Sequence, residues 1–118
     1  KPLPFAHNFS KAQICGIILD GKINIVNVYR SPNQPKDEAF AFAKYLMDKL
    51  PKESLILCGD YNLRDWNSID RFPKEERQRV FVKAFEQMKL TQHVVEPTHG
   101  ENVLDLLLTY THEKIKEN

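Results

Sequence analysis

The run Leu55-Ile56-Leu57-Cys58 leads straight into Gly59-Asp60-Tyr61-Asn62, and this junction sets the centre of any fold the chain can take. Four consecutive apolar residues of strand type predict a buried strand. The strand ends at the glycine and delivers a carboxylate and a carboxamide, two residues apart, where the chain leaves the sheet. In open α/β sheets that carboxyl edge is where ligands bind. Asp60 offers only acceptors, whereas the Asn62 amide both donates and accepts. Such a pair can hold a water or a metal with one side chain and a phosphate oxygen with the other. The same string also reads as an Asx turn that merely ends a strand, since Gly, Asp and Asn are common turn residues.

The neighbouring segments predict what surrounds that strand. Residues 13–20 and 23–29 are apolar runs separated by Asp20-Gly21-Lys22, and Asp-Gly between two strands marks an antiparallel hairpin. Pro32 and Pro35 make 30–36 a loop. Asp37 then serves as helix N-cap or first-turn acid, and Phe40, Ala43, Tyr45, Leu46 and Leu50 continue a helical stripe that stops at Pro51. After the central strand, 61–72 is a polar and aromatic loop. Pro73 opens a second helix over 74–90, with Val80, Phe81, Ala84, Phe85 and Met88 inward. Residues 91–95 and 103–110 are strands, and 111–118 a polar end. This order predicts a mixed sheet with helices covering one face. Little in the chain is left to cover the other.

At 118 residues the chain is at most one domain, and its formal net charge of +1 excludes the basic field of a histone-like protein. Nucleic acid binding then requires a local arrangement of Lys and Arg. The one basic cluster, Lys74, Arg77, Arg79 and Lys83, also contains Glu75 and Glu76 and reads as a solvated helix face. Cys15 and Cys58 lie inside apolar runs and are expected as free, buried thiols of an intracellular protein. His7, His93, His99 and His112 lack a helical i, i+4 histidine partner, so zinc spacing is absent. No apolar stretch reaches the ~20 residues of a membrane span. The first residue is not methionine, so the chain is expected to be a piece of a longer product.

Two more polar groups sit at strand ends. Asp105 stands inside Val103-Leu104-Asp105-Leu106-Leu107-Leu108-Thr109, where an unpaired carboxylate costs several kcal/mol. It faces either a polar site or, on an edge strand, solvent. Tyr29 ends the second strand of the hairpin, before Arg30 and Asn33. Its hydroxyl either donates to a phosphate oxygen or sits in water above a buried ring.

Three segments in this order, 23–33 (Ile-Asn-Ile-Val-Asn-Val-Tyr-Arg-Ser-Pro-Asn), 55–62 (Leu-Ile-Leu-Cys-Gly-Asp-Tyr-Asn) and 96–109 (Glu-Pro-Thr-His-Gly-Glu-Asn-Val-Leu-Asp-Leu-Leu-Leu-Thr), resemble the endonuclease/exonuclease/phosphatase superfamily. The wording is most similar to the apurinic-type endonuclease domain of non-LTR, LINE-like retrotransposons. The resemblance covers roughly residues 13–110. It implies an α/β (α+β) four-layer sandwich, here incomplete, in which 1–118 is the central and C-terminal part of the domain. By position, Asp60 matches the acid that orients or deprotonates the attacking water, and Asn62 the residue that hydrogen-bonds the scissile phosphate. Tyr29 matches the phosphate-contacting tyrosine, and Asp105 the acid that supports a catalytic histidine. Asn33, whose spacing is one residue longer than the family's, is carried over with Arg30, Thr98 and Asn102 as substrate-binding. The family's N-terminal strands with their metal-binding glutamate, and its closing Ser-Asp-His segment, have no counterpart in this chain.

The resemblance further implies Mg²⁺ or Mn²⁺ as cofactor, with Asp60 contributing only indirectly, DNA as substrate, and a reverse transcriptase domain in the same parent polypeptide. It places the protein in the nucleus and away from membranes. The segment alone is expected to be inactive. Two other readings stand beside it: a phosphodiesterase or phosphatase of the same superfamily acting on small or lipid phosphates, and a non-catalytic remnant.

Overall fold

Asp20 and Gly21 have φ of 53° and 66°, the pair of positive values a type I′ turn needs. The Lys22 N–H closes the turn on the Leu19 carbonyl at 3.0 Å. Strands β1 (Ala12–Leu19) and β2 (Ile23–Arg30) pair antiparallel on either side of it, with Leu19 opposite Ile23 and Ala12 opposite Arg30. This hairpin opens the fold in a computed structural model that describes residues 2–5, 9–63, 73–93 and 105–111.

Helix α1 (Lys36–Lys49) returns the chain to strand β3 (Leu55–Asp60), which pairs with β2 in parallel; parallel neighbours need such a crossover. Helix α2 (Glu76–Gln87), strand β4 (Leu90–Gln92) and strand β5 (Asp105–Tyr110) complete the described elements. The sheet order is β1-β2-β3-β5-β4, and every pair except β2/β3 is antiparallel. The element order and the mixed sheet agree with the sequence reading. None of the described helices is long and apolar enough to cross a membrane.

Helix boundaries and faces depart from it in instructive ways. Pro35 caps α1, so of its two readings Asp37 takes that of first-turn acid, beside Glu38 and with Lys49 in the last turn, each charge at the end of the helix dipole that favours it. The buried stripe of α1 is Ala39, Phe42, Ala43 and Leu46, followed by Leu50, whereas Phe40 is exposed beneath the Lys36 ammonium. Phenylalanines two apart cannot share a helix face, and the small Ala39 and Ala43 favour the Phe42 side because they let the helix approach the sheet. Pro73 lies ahead of α2, which starts at Glu76, and Val82 joins Phe81, Ala84 and Phe85 in the core.

Both helices cover the same face. On it sit Ala12, Ile14, Val26, Val28, Leu55, Leu57, Leu106 and Leu108, all buried. Strand alternation sends the intervening residues to the other face, where Cys15 is exposed and Cys58 half-buried. Both thiols are free, as expected, but they are not core residues. Ile17 is 47 % exposed on this helix-free face, and Leu19 and Ile23 nearly as much. Pro2 bridges Ile17 and Leu3 N–H bonds the Gly16 carbonyl, so the β1 edge is partly covered, whereas no described helix lies on the face. Apolar surface of this kind drives association. The isolated chain is expected to sediment as oligomers at micromolar concentration, and Ile17→Lys combined with Ile23→Lys to shift it toward monomer. A wild-type chain that sediments as a single monomeric species contradicts this.

Candidate functional site

The register of three adjacent strands places the polar strand ends side by side. Tyr29 on β2 is opposite Asp60 on β3, and Asp60 is opposite Asp105 on β5. These positions form one row across the centre of the sheet, at the carboxyl ends of the parallel pair β2/β3. β5 runs antiparallel and enters the sheet at this same end. Because directly paired residues share a face, Tyr29 and Asp60 project from the helix-free side. Tyr29 is 45 % exposed and Asp60 partly so, which leaves both reachable. β5 lies between β3 and β4 in the sheet, although the β4 pairing reaches only as far as Leu108.

Beyond the strand, Asn62 takes φ +52°, a left-handed conformation that asparagine tolerates. Its backbone N–H bonds Asp60 Oδ1 at 3.0 Å, so the Asx turn foreseen as an alternative is present. The turn and the functional reading are compatible. One carboxylate oxygen of Asp60 is anchored by its own backbone, and the anchor fixes the direction of the other. The Asn62 side chain, 7 % exposed, donates from Nδ2 to the Arg30 carbonyl at 2.7 Å. Nδ2 carries two hydrogens, and one is thereby committed to β2.

Gly59 makes this convergence possible. Its φ is +137°, and a Cβ built there stands 1.9 Å from the Val28 carbonyl oxygen. Only a residue without a side chain lets β3 lie this close to β2 beside the Tyr29–Asp60 pair.

Arg30 does not join the row. It falls on the parity of Val26 and Val28, so its side chain enters the helix-covered face and is 1 % exposed. A substrate-binding guanidinium has to be reachable, and this one is enclosed by the protein's own carbonyls. Burial, with the Arg77 cation nearby, lowers its pKa from the ordinary guanidinium range to about 10, against a smaller opposing effect of Glu75. Asn33 is exposed in the loop that follows β2, at the same end of the sheet as the row. Thr98 and Asn102 lie outside the described residues, as does the side chain of Asp105.

A groove of about 430 Å³ borders Tyr29 on its β1 side, lined by Phe9, Gln13, Cys15 and Asn27 among others. Among the described residues no three His, Cys, Asp or Glu side chains come together. The donors that are present on the row are oxygens, a set suited to a hard cation such as Mg²⁺ rather than to zinc or copper.

A family model described as endonuclease-reverse transcriptase matches residues 23–118. Among solved structures, the chain is similar to the endonuclease domain of TRAS1, a telomere-specific non-LTR retrotransposon. The TM-score is 0.57 at 19 % identity, over 86 % of this chain and 49 % of that one. The two share the mixed five-stranded sheet with its helices, and this chain spans about half the length of the TRAS1 domain. No curated protein matches the chain.

Proposed function

The chain belongs to the endonuclease-reverse transcriptase family, and on that footing we propose that the row Tyr29–Asp60–Asp105 is part of a site that hydrolyses phosphodiesters of DNA. The observation that carries this reading is the register. Three residues separated by dozens of positions in sequence occupy adjacent places on three strands, at the sheet end where ligands bind.

In this reading the free oxygen of Asp60 orients the attacking water and accepts its proton, while Asn62 N–H holds the other oxygen still. The Tyr29 hydroxyl, exposed beside Asp60, donates to a non-bridging phosphate oxygen. The second amide hydrogen of Asn62 donates to the same group as negative charge grows on it; donors fixed before the reaction stabilise such charge most effectively. Asp105 supports a histidine supplied from outside 1–118. Asp60 would contribute only indirectly to holding Mg²⁺ or Mn²⁺, whose chemistry, if bound, would be to polarise the phosphate and lower the pKa of a bound water. The parent protein then pairs this domain with a reverse transcriptase and acts in the nucleus.

The test is nicking of supercoiled plasmid by the full-length protein. Cleavage is expected with Mg²⁺, to cease with EDTA, and to fall about 10²-fold in Tyr29→Phe through loss of one donor. Residues 1–118 alone are expected not to nick. Hydrolysis of inositol or lipid phosphates with no action on DNA would move the site to another substrate class. Failure on every phosphodiester would make the domain a non-catalytic remnant.

A further inference from the structure

The Arg30 guanidinium has no part in the chemistry above, yet its side chain is among the largest fully buried ones of the described residues. Its three nitrogens donate to three different segments: Nε to Gln34 Oε1 at 2.8 Å, Nη1 to the Tyr61 carbonyl at 3.0 Å, and Nη2 to the Arg77 carbonyl at 3.1 Å. The group also lies over the Phe81 ring, 4.8 Å from its centroid. None of the three acceptors is a carboxylate. Burying a cation against neutral carbonyls is costly, so the arrangement is not explained by charge pairing. What it accomplishes is geometric. The planar fork joins the loop after β2, the residue after β3 and the first turn of α2.

The joint is reciprocal at the site. The side chain of Arg30 grips the backbone of Tyr61, and the side chain of Asn62 grips the backbone of Arg30. Both bonds cross between β2 and β3 immediately past the Tyr29–Asp60 pair, where the sheet ladder ends. Asn62 N–H in turn holds Asp60 Oδ1. The Gln34 amide contributes one atom: Oε1 meets the guanidinium while Nε2 is buried without a partner among the described residues. Its orientation therefore follows Arg30.

We propose that Arg30 is a positioning residue whose buried guanidinium locks the Asp60–Asn62 turn against the end of β2, and so sets where the carboxylate and the amide stand on a bound phosphodiester. This rests on the reading of Asp60 and Asn62 as phosphodiester-cleaving groups. Lysine cannot replace it, because an ammonium lacks the fork that reaches three diverging acceptors.

The experiment uses the full-length protein with Mg²⁺ and supercoiled plasmid, in Arg30→Lys, Gln34→Ala, Asn62→Ala and the Arg30→Lys/Asn62→Ala double variant. Arg30→Lys is expected to lower kcat about 10–100-fold with KM within about twofold, the loss a small misplacement of reacting groups causes. In the Asn62→Ala background the same change is expected to cost less than it does alone, because the clamp then has only the Asp60 carboxylate left to position. The Asn62 side-chain amide resonance is expected to shift and its hydrogens to exchange faster in Arg30→Lys. A folded Arg30→Lys protein with wild-type kcat overturns the proposal, and so does a full, independent loss in the Asn62→Ala background. If Arg30→Lys fails to fold, Gln34→Ala decides through the same two readouts, with wild-type kcat or an unmoved Asn62 resonance counting against the clamp. If the wild-type protein cuts no phosphodiester, the functional reading fails and the Asn62 resonance alone judges the clamp: unmoved in Arg30→Lys, it refutes it.

Discussion

Asp60→Asn is expected to reduce plasmid nicking by the full-length protein by about 10²–10⁴-fold, the range general-base catalysis supplies, while leaving the fold in place. The substitution separates two jobs done by one side chain. The anchor is geometric: Asn62 N–H donates to Asp60 Oδ1, and an asparagine carbonyl accepts that bond equally well. Asparagine often takes this role in Asx turns. The proposed chemistry instead needs the negative charge and a lone pair able to take a proton, and the amide has neither. Thermal stability is therefore expected within about 2 °C of wild type, since a partly exposed, turn-forming substitution stays near ±0.5 kcal/mol. Asp60→Ala removes both jobs and is expected to lose stability as well as activity. Nicking by Asp60→Asn at more than about a tenth of the wild-type rate, outside the span expected of a general base, would remove Asp60 from the reaction and leave only its turn.

Most of this arrangement was legible from the chain because sheets have a period of two. In β3, Leu55 and Leu57 point to the helices, which assigns Asp60 to the other side. In β2, Val26 and Val28 do the same for Tyr29. That alternation also held the answer for Arg30: two residues beyond Val28, it had to enter the core side, yet its charge suggested a surface role. The family resemblance makes Arg30 substrate-binding, but parity prevails, because the Gln34 side-chain oxygen and the Tyr61 and Arg77 carbonyls satisfy a buried guanidinium. Phe40 and Phe42 show the converse limit. Hydrophobicity alone could not choose between two phenylalanines, and the small Ala39 and Ala43 beside one of them were the better signal. That Tyr29, Asp60 and Asp105 share one site was implied by the resemblance and by their places at strand ends, but the pairing that sets them in a single row was not legible from the chain. Pairing register between distant strands depends on crossover lengths and on side chains from several segments at once, and here it also depends on a glycine whose importance is invisible without its neighbour.

Gly59→Ala is expected to be the most damaging single substitution on the described fold, costing about 4 kcal/mol or more, at the far end of what point mutations do. Two effects combine. The backbone sits at φ +137°, where a side chain is strained wherever it points, a cost of roughly 1–3 kcal/mol. The added methyl also stands 1.9 Å from the Val28 carbonyl oxygen and within 2.8 Å of two further Val28 backbone atoms. No rotamer can relieve a clash between a Cβ and a main chain, so β2 and β3 have to separate. These strands form the parallel centre of the sheet, flanked by β1 and β5. Parting them loosens the Tyr29–Asp60 pair and both cross-strand bonds of Arg30 and Asn62. In the full-length protein the melting temperature is expected to fall by roughly 15 °C, or the cooperative transition to vanish, and nicking to be lost with it. Cys58→Ala, one residue earlier on the helix-free face, is the contrast: the half-buried thiol touches Val26 and Asn27 only loosely, and its removal is expected to cost about 1 kcal/mol or less. A Gly59→Ala protein that melts as the wild type does would mean that the strands do not approach as closely as described, and the row built on that approach would go with it.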